Sequence, residues 1–351
     1  MFMSKNKKIS FKTILSIVTL ILVGIVIYKN RTAFFEAAAH IQETNIFVLL
    51  LLIPEQLIMY YACGQIFFSF LAAKKNAKKV SPFTLMRVSL ELNFVNHAVP
   101  AGGFGGLAYV AWRLKKFGAT PGQSSFMYGL RYAITVIANQ IQTLIAIAIL
   151  LIFGSIPDGS SWIILLTVFV SFAVIVGIGI IVVIASSAKR VHWFSRLVSN
   201  MLNGLVKAFT FGKKRNKLTY NIIDKYLMDI NGDLTAAIKN KQMLTRPIMW
   251  GIIYSFLEVA IYWIVAISRG NPWVMPQIMI GEAIGSVLGT IFPIGPYEAG
   301  MIWAMSLLGV TDAIAIVCIA RVAVLGTTII SGYGFYQNAI SKMDKNEVNK
   351  K

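Results

Sequence analysis

The sequence predicts an all-α integral membrane protein, a polytopic helical bundle with about six full spans and two re-entrant helical hairpins in an inverted repeat. Three observations support this prediction. The composition is typical of a membrane protein, and two apolar segments are interrupted by proline and glycine. Most basic residues also fall in segments that are predicted to lie on the same side of the membrane.

The composition excludes a soluble globular domain. Of the 351 residues, 57% are hydrophobic and only 13% are charged, and the mean hydropathy is +0.70. Soluble domains carry about 25% charged residues. Cys63 and Cys318 lie in apolar runs and predict no disulfide framework. The sequence has no Walker A segment, metal-ligand spacing or Ser-His-Asp order, so we expect no cofactor, no metal and no enzymatic activity.

The full spans are predicted from apolar runs between basic clusters. A run from about Ile14 to Tyr28 follows four lysines and is interpreted as an uncleaved first span. The next run, from about Asn45 to Ala72, ends at a lysine cluster that marks the cytoplasmic side. The remaining spans are predicted from Pro121 to about Phe153, from Trp162 to Ser187, from Pro247 to about Ser268, and from a cap at Thr311 and Asp312 to about Tyr336.

The first interrupted segment covers residues 82–112, where a helix opened by Ser81 and Pro82 reaches the stretch from Glu91 to Gly106. This stretch holds a carboxylate, two asparagines, a histidine, a proline and four glycines. Backbone groups that proline and glycine free from helical hydrogen bonds must find partners inside the protein or beside a watery cavity. Because basic sequences flank the segment on both sides, it predicts a re-entrant hairpin that enters from the cytoplasm.

A second interrupted segment repeats the first in the same order: an acid, Pro-x-Gly, Gly-x-Thr and an arginine. The first set comprises Glu91, Pro100, Gly102, Gly118, Thr120 and Arg131, and the second comprises Glu282, Pro293, Gly295, Gly309, Thr311 and Arg321. An ordered set of this kind predicts an internal repeat. The second segment would enter from outside, so the two units have the opposite orientations of the inverted repeats found in many transporters.

We predict one membrane domain over residues 1–351. Repeat one covers about 45–187, a cytoplasmic amphipathic basic insert covers about 189–246, repeat two covers about 247–337, and a cytoplasmic tail covers 338–351. Apolar residues at helical spacing in the insert predict a helix on the inner leaflet: Trp193, Phe194, Leu197, Met201 and Leu205. For the lysine-rich part, Lys213–Lys217, a solvated basic loop is an equal alternative.

Most of the 33 lysines and arginines fall in segments assigned to the inside. This bias predicts a multi-pass protein of the cell (inner) membrane with cytoplasmic N- and C-termini. It also explains the net charge of +19 without nucleic acid.

Ionisable residues inside the bilayer are the strongest candidates for function, because each costs about 2.5–3.5 kcal/mol on insertion scales. Glu282 and Glu298 suit a cationic head group or a proton, and Arg131 and Arg321 suit a lipid phosphate, which guanidinium binds bidentately. Backbone N–H groups of the glycines could form an anion nest. The candidate substrate-binding residues are Asn93, Asn96, Gly102, Gly103, Arg131, Glu282, Gly295, Glu298 and Arg321.

A structural role is the alternative for these residues. The arginines could pair with Glu91, Glu282 or Glu298 only to hold the hairpins together. The first glycines could serve close packing, and a small-residue packing face is predicted at Gly281, Gly285 and Gly289. Glu55 and Glu258 also fall within spans, and a functional role is less favoured for them.

The order Asn96, Pro100-x-Gly-Gly, Gly118 and Arg131, followed by Pro293-x-Gly, Glu298, Gly309 and Arg321, resembles the flippase-like membrane domain of lysylphosphatidylglycerol synthases and the related YbhN-like membrane proteins. The resemblance covers nearly the whole chain. It implies a multi-span bundle with two re-entrant hairpins, and translocation of an aminoacylated or otherwise anionic lipid between leaflets. The 351 residues include no counterpart of the cytosolic transferase domain, so synthase activity is not expected.

Two functions therefore compete. The first is a lipid flippase-like transporter that moves an anionic or aminoacylated phospholipid, or a lipid-linked intermediate, between leaflets. The second is a membrane-embedded accessory or scaffold component of a lipid-modifying or glycosyl-transfer system. The expected partners are membrane phospholipids, a separate lipid-modifying transferase and a second copy of the chain, with no nucleic acid.

Overall fold

The structure is a computed structural model in which all regular secondary structure of the described residues is helical. The described residues are 28, 31–73, 80–98, 104–154, 156–209, 220–291 and 296–341. The chain forms two compact units. Unit 1 comprises residues 1–60, 86–106 and 258–351, and unit 2 comprises residues 61–85 and 107–257.

The helices are numbered here in chain order. The first half contains α1 (Arg31–His40), α2 (Ile46–Leu49), α3 (Leu52–Ala73), α4 (Pro82–Ala98), α5 (Phe104–Lys115), α6 (Pro121–Ile152) and α7 (Ser161–Ala185). The second half contains α8 (Ala188–Phe209), α9 (Tyr220–Lys239), α10 (Gln242–Ser268), α11 (Met275–Ile291), α12 (Pro296–Leu307), α13 (Ala313–Thr327) and α14 (Tyr333–Ser341). Short 3₁₀ turns occupy Ile41–Glu43 and Pro272–Val274, and a π-helical turn occupies Thr328–Gly332.

Five helical segments in the described part of the chain are long and apolar enough to cross a membrane. They are Ile46–Ala73, Pro121–Ile152, Ser161–Ala185, Gln242–Ser268 and Ala313–Ser341. These segments confirm the predicted polytopic helical bundle. The predicted first span, from about Ile14 to Tyr28, lies almost entirely outside the described residues.

Two helix starts follow the predicted chemistry. Helix α6 begins at Pro121 behind a capping box, in which the Thr120 side chain accepts from Gln123 N–H and the Gln123 side chain accepts from Thr120 N–H. Helix α4 begins at Pro82, and Ser81 Oγ accepts from the backbone N–H of Thr84 at 3.3 Å.

One predicted helix start is wrong, and one correctly placed start lacks the side-chain cap. Pro247 does not open α10: the helix begins at Gln242, buries Met243 and contains Pro247 in its second turn. Asp312 occupies the N-cap position of α13, but its side chain does not cap the helix. Its carboxylate instead lies 3.5 Å from Nε of Arg269, a charged partner.

The two predicted repeats have the same local structure. Helices α4 and α11 both have 17 residues, and α5 and α12 both have 12. Each shorter helix ends in the same turn, with Gly118 at φ 91° and Gly309 at φ 84°, a conformation that favours glycine. The residue after each of these glycines donates its N–H back to the helix, from Ala119 to Leu114 and from Val310 to Met305. The connections at 99–103 and 292–295 lie outside the described residues.

Helices α11 and α12 of unit 1 form an antiparallel hairpin along a face of small residues. A Cβ atom at Gly285 would lie 2.8 Å from the Tyr297 carbonyl oxygen, and one at Gly281 would lie 2.8 Å from Met305 Cγ. One at Gly289 would lie 3.0 Å from Tyr297 Cβ, so the predicted packing face is confirmed. At the helical rise the two arms are about 26 and 18 Å long, shorter than a bilayer core of about 30 Å.

One end of unit 1 is held by the Arg269 cluster, which consists of Glu43, Arg269 and Asp312. Arg269 Nη2 donates to Glu43 at 2.9 Å, and Nη1 donates to the backbone oxygen of His40 at 3.0 Å. The backbone N–H of Asn45 donates to Ser268 O at 2.8 Å. Three segments that the predicted topology assigns to the outer side therefore lie together.

In unit 2 the basic insert folds as two helices that pack on the membrane spans. The hydroxyls of Tyr226 in α9 and Ser125 in α6 are hydrogen-bonded, and Asn231 Nδ2 donates to Ala185 O at the end of α7 at 2.6 Å. His192 of α8 pairs with Asp224 of α9 at 2.8 Å. The sequence interpretation of the insert did not include α9. Lys213–Lys217 lies outside the described residues.

Helix α8 exposes its apolar side and buries small residues. Trp193, Leu197 and Met201 are exposed, whereas Val191 and Ser195 are buried. An exposed apolar stripe on a basic helix is suited to the membrane surface, as predicted for the insert.

Candidate functional site

Unit 1 contains a group of five ionisable side chains on helices α3, α10, α11, α12 and α13, which we call the charged layer: Glu55, Glu258, Glu282, Glu298 and Arg321. Asn45 and Ser268 are hydrogen-bonded to each other. Glu55 follows Asn45, and Glu258 precedes Ser268, by the same number of residues, which corresponds to about 15 Å at the helical rise. Glu282, Glu298 and Arg321 lie about 10–14 Å at the helical rise from the ends of α11, α12 and α13 that are on the same side as Asn45 and Ser268. With these helix ends taken as one surface of a bilayer core of about 30 Å, the layer falls near its middle.

Arg321 and Glu298 form the ion pair of this layer. Arg321 Nε lies 2.6 Å from Glu298 Oε1, and the side chains are 11% and 12% exposed. The pair joins α13 to α12. Arg321 also interacts electrostatically with His97 of α4 and Tyr262 of α10. The guanidinium thus interacts with groups from three other helices, α4, α10 and α12.

Glu282 of α11 is held by hydroxyl groups. Ser286 Oγ donates to Glu282 Oε1 at 2.8 Å, and the Tyr297 side chain also forms a hydrogen bond with Glu282. The hydroxyls of Tyr297 and Tyr262 are 3.1 Å apart. A chain of hydroxyls therefore runs from Glu282 through α12 to α10.

Glu55 and Glu258 continue the acidic side of the layer. Glu55 is 6% exposed, and both of its carboxyl oxygens are buried without a hydrogen-bond partner among the described residues. Glu258 interacts electrostatically with both Glu55 and Glu282. The structure thus brings together two residues that the sequence analysis ranked below the other acids. Their position inside apolar spans was the available signal.

A second polar group forms beside the first predicted helix break. Asn93 Nδ2 donates to Tyr60 Oη at 2.9 Å and to Thr328 Oγ1 at 2.7 Å, and the two hydroxyls are 3.3 Å apart. His97 Nδ1 lies 2.9 Å from the backbone oxygen of Asn93. Thr328 begins the π-helical turn, a feature that is frequent at functional sites.

Glu91 pairs with Arg87, whereas the sequence analysis considered Arg131 and Arg321 as its structural partners. Arg87 Nε donates to Glu91 at 2.7 Å within α4, and the Glu91 side chain is fully buried. Arg87 Nη2 also donates to the backbone oxygen of Phe335 at 3.3 Å. These bonds attach α4 to α14 and compensate the charge of Glu91.

Arg131 lies in unit 2 and has an aromatic environment. Its Nη2 donates to the Tyr254 hydroxyl at 3.0 Å, and the guanidinium carbon lies 5.2 and 5.5 Å from the ring centres of Tyr254 and Tyr132. Aromatic faces stabilise a guanidinium at these distances.

The comparisons with known proteins identify the family. The family described as "Lysylphosphatidylglycerol synthase TM region" matches residues 12–332 of this chain. The chain belongs to this family. No curated protein and no solved structure matches it. Membership supports a membrane function related to lipids.

Six of the nine candidate residues lie in the described part of the chain, five in unit 1 and one in unit 2. Unit 1 contains Asn93, Glu282, Glu298 and Arg321, as well as Asn96, which is half-buried in the last turn of α4. Unit 2 contains Arg131. Gly102, Gly103 and Gly295 lie outside the described residues.

Proposed function

We propose that this protein is a lipid flippase-like transporter that moves an aminoacylated or otherwise anionic phospholipid between membrane leaflets. The charged layer of unit 1 carries the proposal. A structural membrane helix bundle has little use for four carboxyl groups and a guanidinium near mid-bilayer, because each is costly to insert. A path for polar head groups requires such groups.

The chemistry of the layer suits a head group that carries both charges. Arg321 offers planar, bidentate recognition of a phosphate, and the carboxylates Glu282 and Glu298 suit an ammonium group. Arg321 and Glu298 are paired at 2.6 Å. An entering lipid would exchange this pair for two new ones, phosphate with Arg321 and ammonium with Glu298, so the charges stay compensated during passage.

The two interrupted segments supply the route in this proposal. Hairpin α11–α12, with arms shorter than the bilayer core, is a re-entrant hairpin, and α4 belongs to its counterpart in the first repeat. The outward surface of the spans remains in lipid while the head group passes inside. The transporter itself needs no bond-making chemistry, so it is not an enzyme.

Translocation by the purified chain in liposomes tests the proposal. A lipid whose head group carries phosphate and lysyl ammonium, lysylphosphatidylglycerol, should change leaflet faster in proteoliposomes than in protein-free liposomes, as measured by an impermeant amine reagent. An Arg321→Lys variant should be several-fold slower, because lysine lacks the bidentate geometry. Glu36→Gln, at a half-exposed carboxylate of unit 1, is the matched control.

Equal rates with and without the protein would contradict the transporter. That result would favour the accessory role beside a separate lipid-modifying transferase. An active parent with an equally active Arg321→Lys variant would retain the transporter and remove Arg321 from the binding site.

A further inference from the structure

Helix α8 begins directly after the end of the span α7. The span Ser161–Ala185 has 25 residues, about 37 Å at the helical rise, so it is long enough for its ends to reach the head-group region outside a bilayer core of about 30 Å. Arg190 of α8 is fastened to this end, because its Nε donates to Val183 O at 2.7 Å and its Nη2 donates to Ser186 Oγ at 3.2 Å. The start of α8 therefore lies at the level of the lipid head groups.

One face of α8 is covered by other parts of unit 2. Val191, Ser195 and Ser199 follow one another at intervals of four residues and are buried. His192 Nδ1 lies 2.8 Å from Asp224 Oδ1 of α9, and α9 is in turn hydrogen-bonded to the spans α6 and α7. Helix α8 is thus held in one orientation, which determines the face that it presents away from the protein.

The opposite face of α8 carries an exposed apolar stripe, which consists of Trp193, Leu197 and Met201. Their side chains are 60%, 42% and 61% exposed, and the three residues also follow at intervals of four. Trp193 lies about 160° around the helix from both Val191 and Ser195 of the buried face. A continuous row of large apolar side chains on a surface indicates an interaction site. Tryptophan at the level of the head groups is typical of the interface between membrane and water.

The charges of the two helices of the insert are segregated. Helix α8 contains no aspartate or glutamate, whereas α9 contains three aspartates. Lys189 and Arg196 are exposed on α8, and no ion pair among the described residues includes either of them. Both lie on the same side of Trp193, about 40° and 60° around the helix. Two cations therefore border the apolar stripe.

These features favour anionic phospholipids over a protein partner. Cations beside a stripe that contains tryptophan match both parts of such a lipid, because the negative head group attracts the cations and the acyl chains cover the apolar side chains. The cytoplasmic leaflet, to which the positive-inside rule assigns α8, is itself negatively charged. A protein partner would instead have to reach a surface at head-group level beside the end of a span.

We propose that Lys189, Arg196 and the apolar stripe of α8 form a binding surface for anionic phospholipids of the cytoplasmic leaflet. The two cations bind the phosphate and the negative head group, while the stripe lies among the first carbons of the acyl chains. This inference goes beyond the proposed transport function and does not depend on it, because the surface belongs to unit 2 and the charged layer to unit 1. It predicts that anionic lipid is enriched beside α8, which immersion of the helix in any bilayer would not produce.

A local probe measures the lipid composition beside α8. Asn200 is exposed and lies about 20° from Trp193 around the helix, so Asn200→Cys can carry a fluorophore on the full chain. The native Cys63 and Cys318 are buried. The labelled protein is placed in nanodiscs of phosphatidylcholine and phosphatidylglycerol in equal amounts. Nitroxide-labelled phosphatidylglycerol should quench the fluorophore several-fold more than nitroxide-labelled phosphatidylcholine, and added salt should reduce the difference.

The preference for phosphatidylglycerol should disappear in the double variant Lys189→Gln with Arg196→Gln. It should remain in the matched control Lys225→Gln with Lys239→Gln, which removes the same charge from exposed positions of α9. Equal quenching by both lipids in the parent, or a preference that survives in the Lys189 and Arg196 variant, would overturn the proposal. Quenching by neither lipid would show that the stripe does not contact the membrane, which would overturn it as well. The measurement requires no lipid translocation, so its outcome is independent of the transport experiment.

Discussion

At the scale of single residues, Arg321 has two candidate roles: it can bind a lipid phosphate, or it can serve only as the structural partner of Glu298. Its ion pair with Glu298 is short and nearly buried, at 2.6 Å with side chains 11% and 12% exposed. Such a pair stabilises less than its attraction suggests, because both ions lose water. Breaking it by removing one partner is nonetheless costly, since the other charge remains buried.

Arg321→Ala should therefore lower the melting temperature in detergent, with a cost of about 3–5 kcal/mol if Glu298 stays ionised. The double variant Arg321→Ala with Glu298→Gln should recover most of this loss. Arg31→Ala, at an exposed arginine of the same unit, should have little effect. If the double variant regains stability but not lipid transport, the arginine is a ligand as well as a partner. If Arg321→Ala is as stable as the parent and still transports lipid, both roles are wrong.

The Arg269 cluster makes a prediction about pH. Hydrogen bonding and charge from Arg269 hold the pKa of the Glu43 carboxyl below its usual 4.5. A depressed pKa in the folded state means that the stabilisation is present above pH 4.5 and is lost as the pH falls through the folded-state pKa. The parent should thus lose more thermal stability than Glu43→Gln between about pH 6 and pH 3. Because Glu43 is exposed, the difference should be small, and parallel melting curves would contradict the role of the pair.

At the scale of elements, the second hairpin depends on backbone-to-backbone proximity. Gly285 faces the carbonyl oxygen of Tyr297, and a Cβ there would lie only 2.8 Å from it. The neighbour is backbone and cannot rotate away. The α11–α12 contact therefore requires glycine at this position, whereas a Cβ at Gly326 or Gly334 of the same unit would meet nothing within 4 Å.

Gly285→Ala should destabilise the protein by about 1–3 kcal/mol, because the added methyl separates the two helices. Gly326→Ala in α13 is the control, since a Cβ at that position meets nothing within 4 Å. Thermal melting and yield of monodisperse protein in detergent would measure both. Equal stability of the two variants would mean that the hairpin packs less closely than the structure indicates.

Elements governed by neighbouring residues were predictable from sequence. The proline starts at Pro82 and Pro121, the glycine turns at Gly118 and Gly309, and the glycine face of α11 all follow from local chemistry. Contacts between residues that are distant in the chain were not predictable from sequence. Asn93 and Thr328 are separated by 235 residues, and their bond depends on which helices pack together. The docking of α9 on α6 was missed for the same reason, because hydrophobic periodicity does not identify the partner.

At the scale of the whole molecule, the sidedness of the chain remains a prediction from its basic residues. Single cysteines placed in the 154–160 turn and at 270–272 should react with an impermeant reagent added to intact cells. Cysteines at 76 and 214 should not react, because the positive-inside rule assigns them to the cytoplasm. The native Cys63 and Cys318 are buried and should contribute little background. Labelling at 214 would reverse the orientation.

The π-helical turn at Thr328–Gly332 fixes the register of everything that follows it. A π turn holds one residue more than an α turn, and one residue corresponds to a rotation of about 100° around the helix axis. Tyr333 and Tyr336 pack against Phe94 only in the observed register. Deletion of Ile330, whose side chain is 78% exposed, would remove almost no contact of its own. It would convert the π turn into a regular α turn and leave both tyrosines facing α4, whereas a deletion in the regular part of α13 would rotate them away by about 100°.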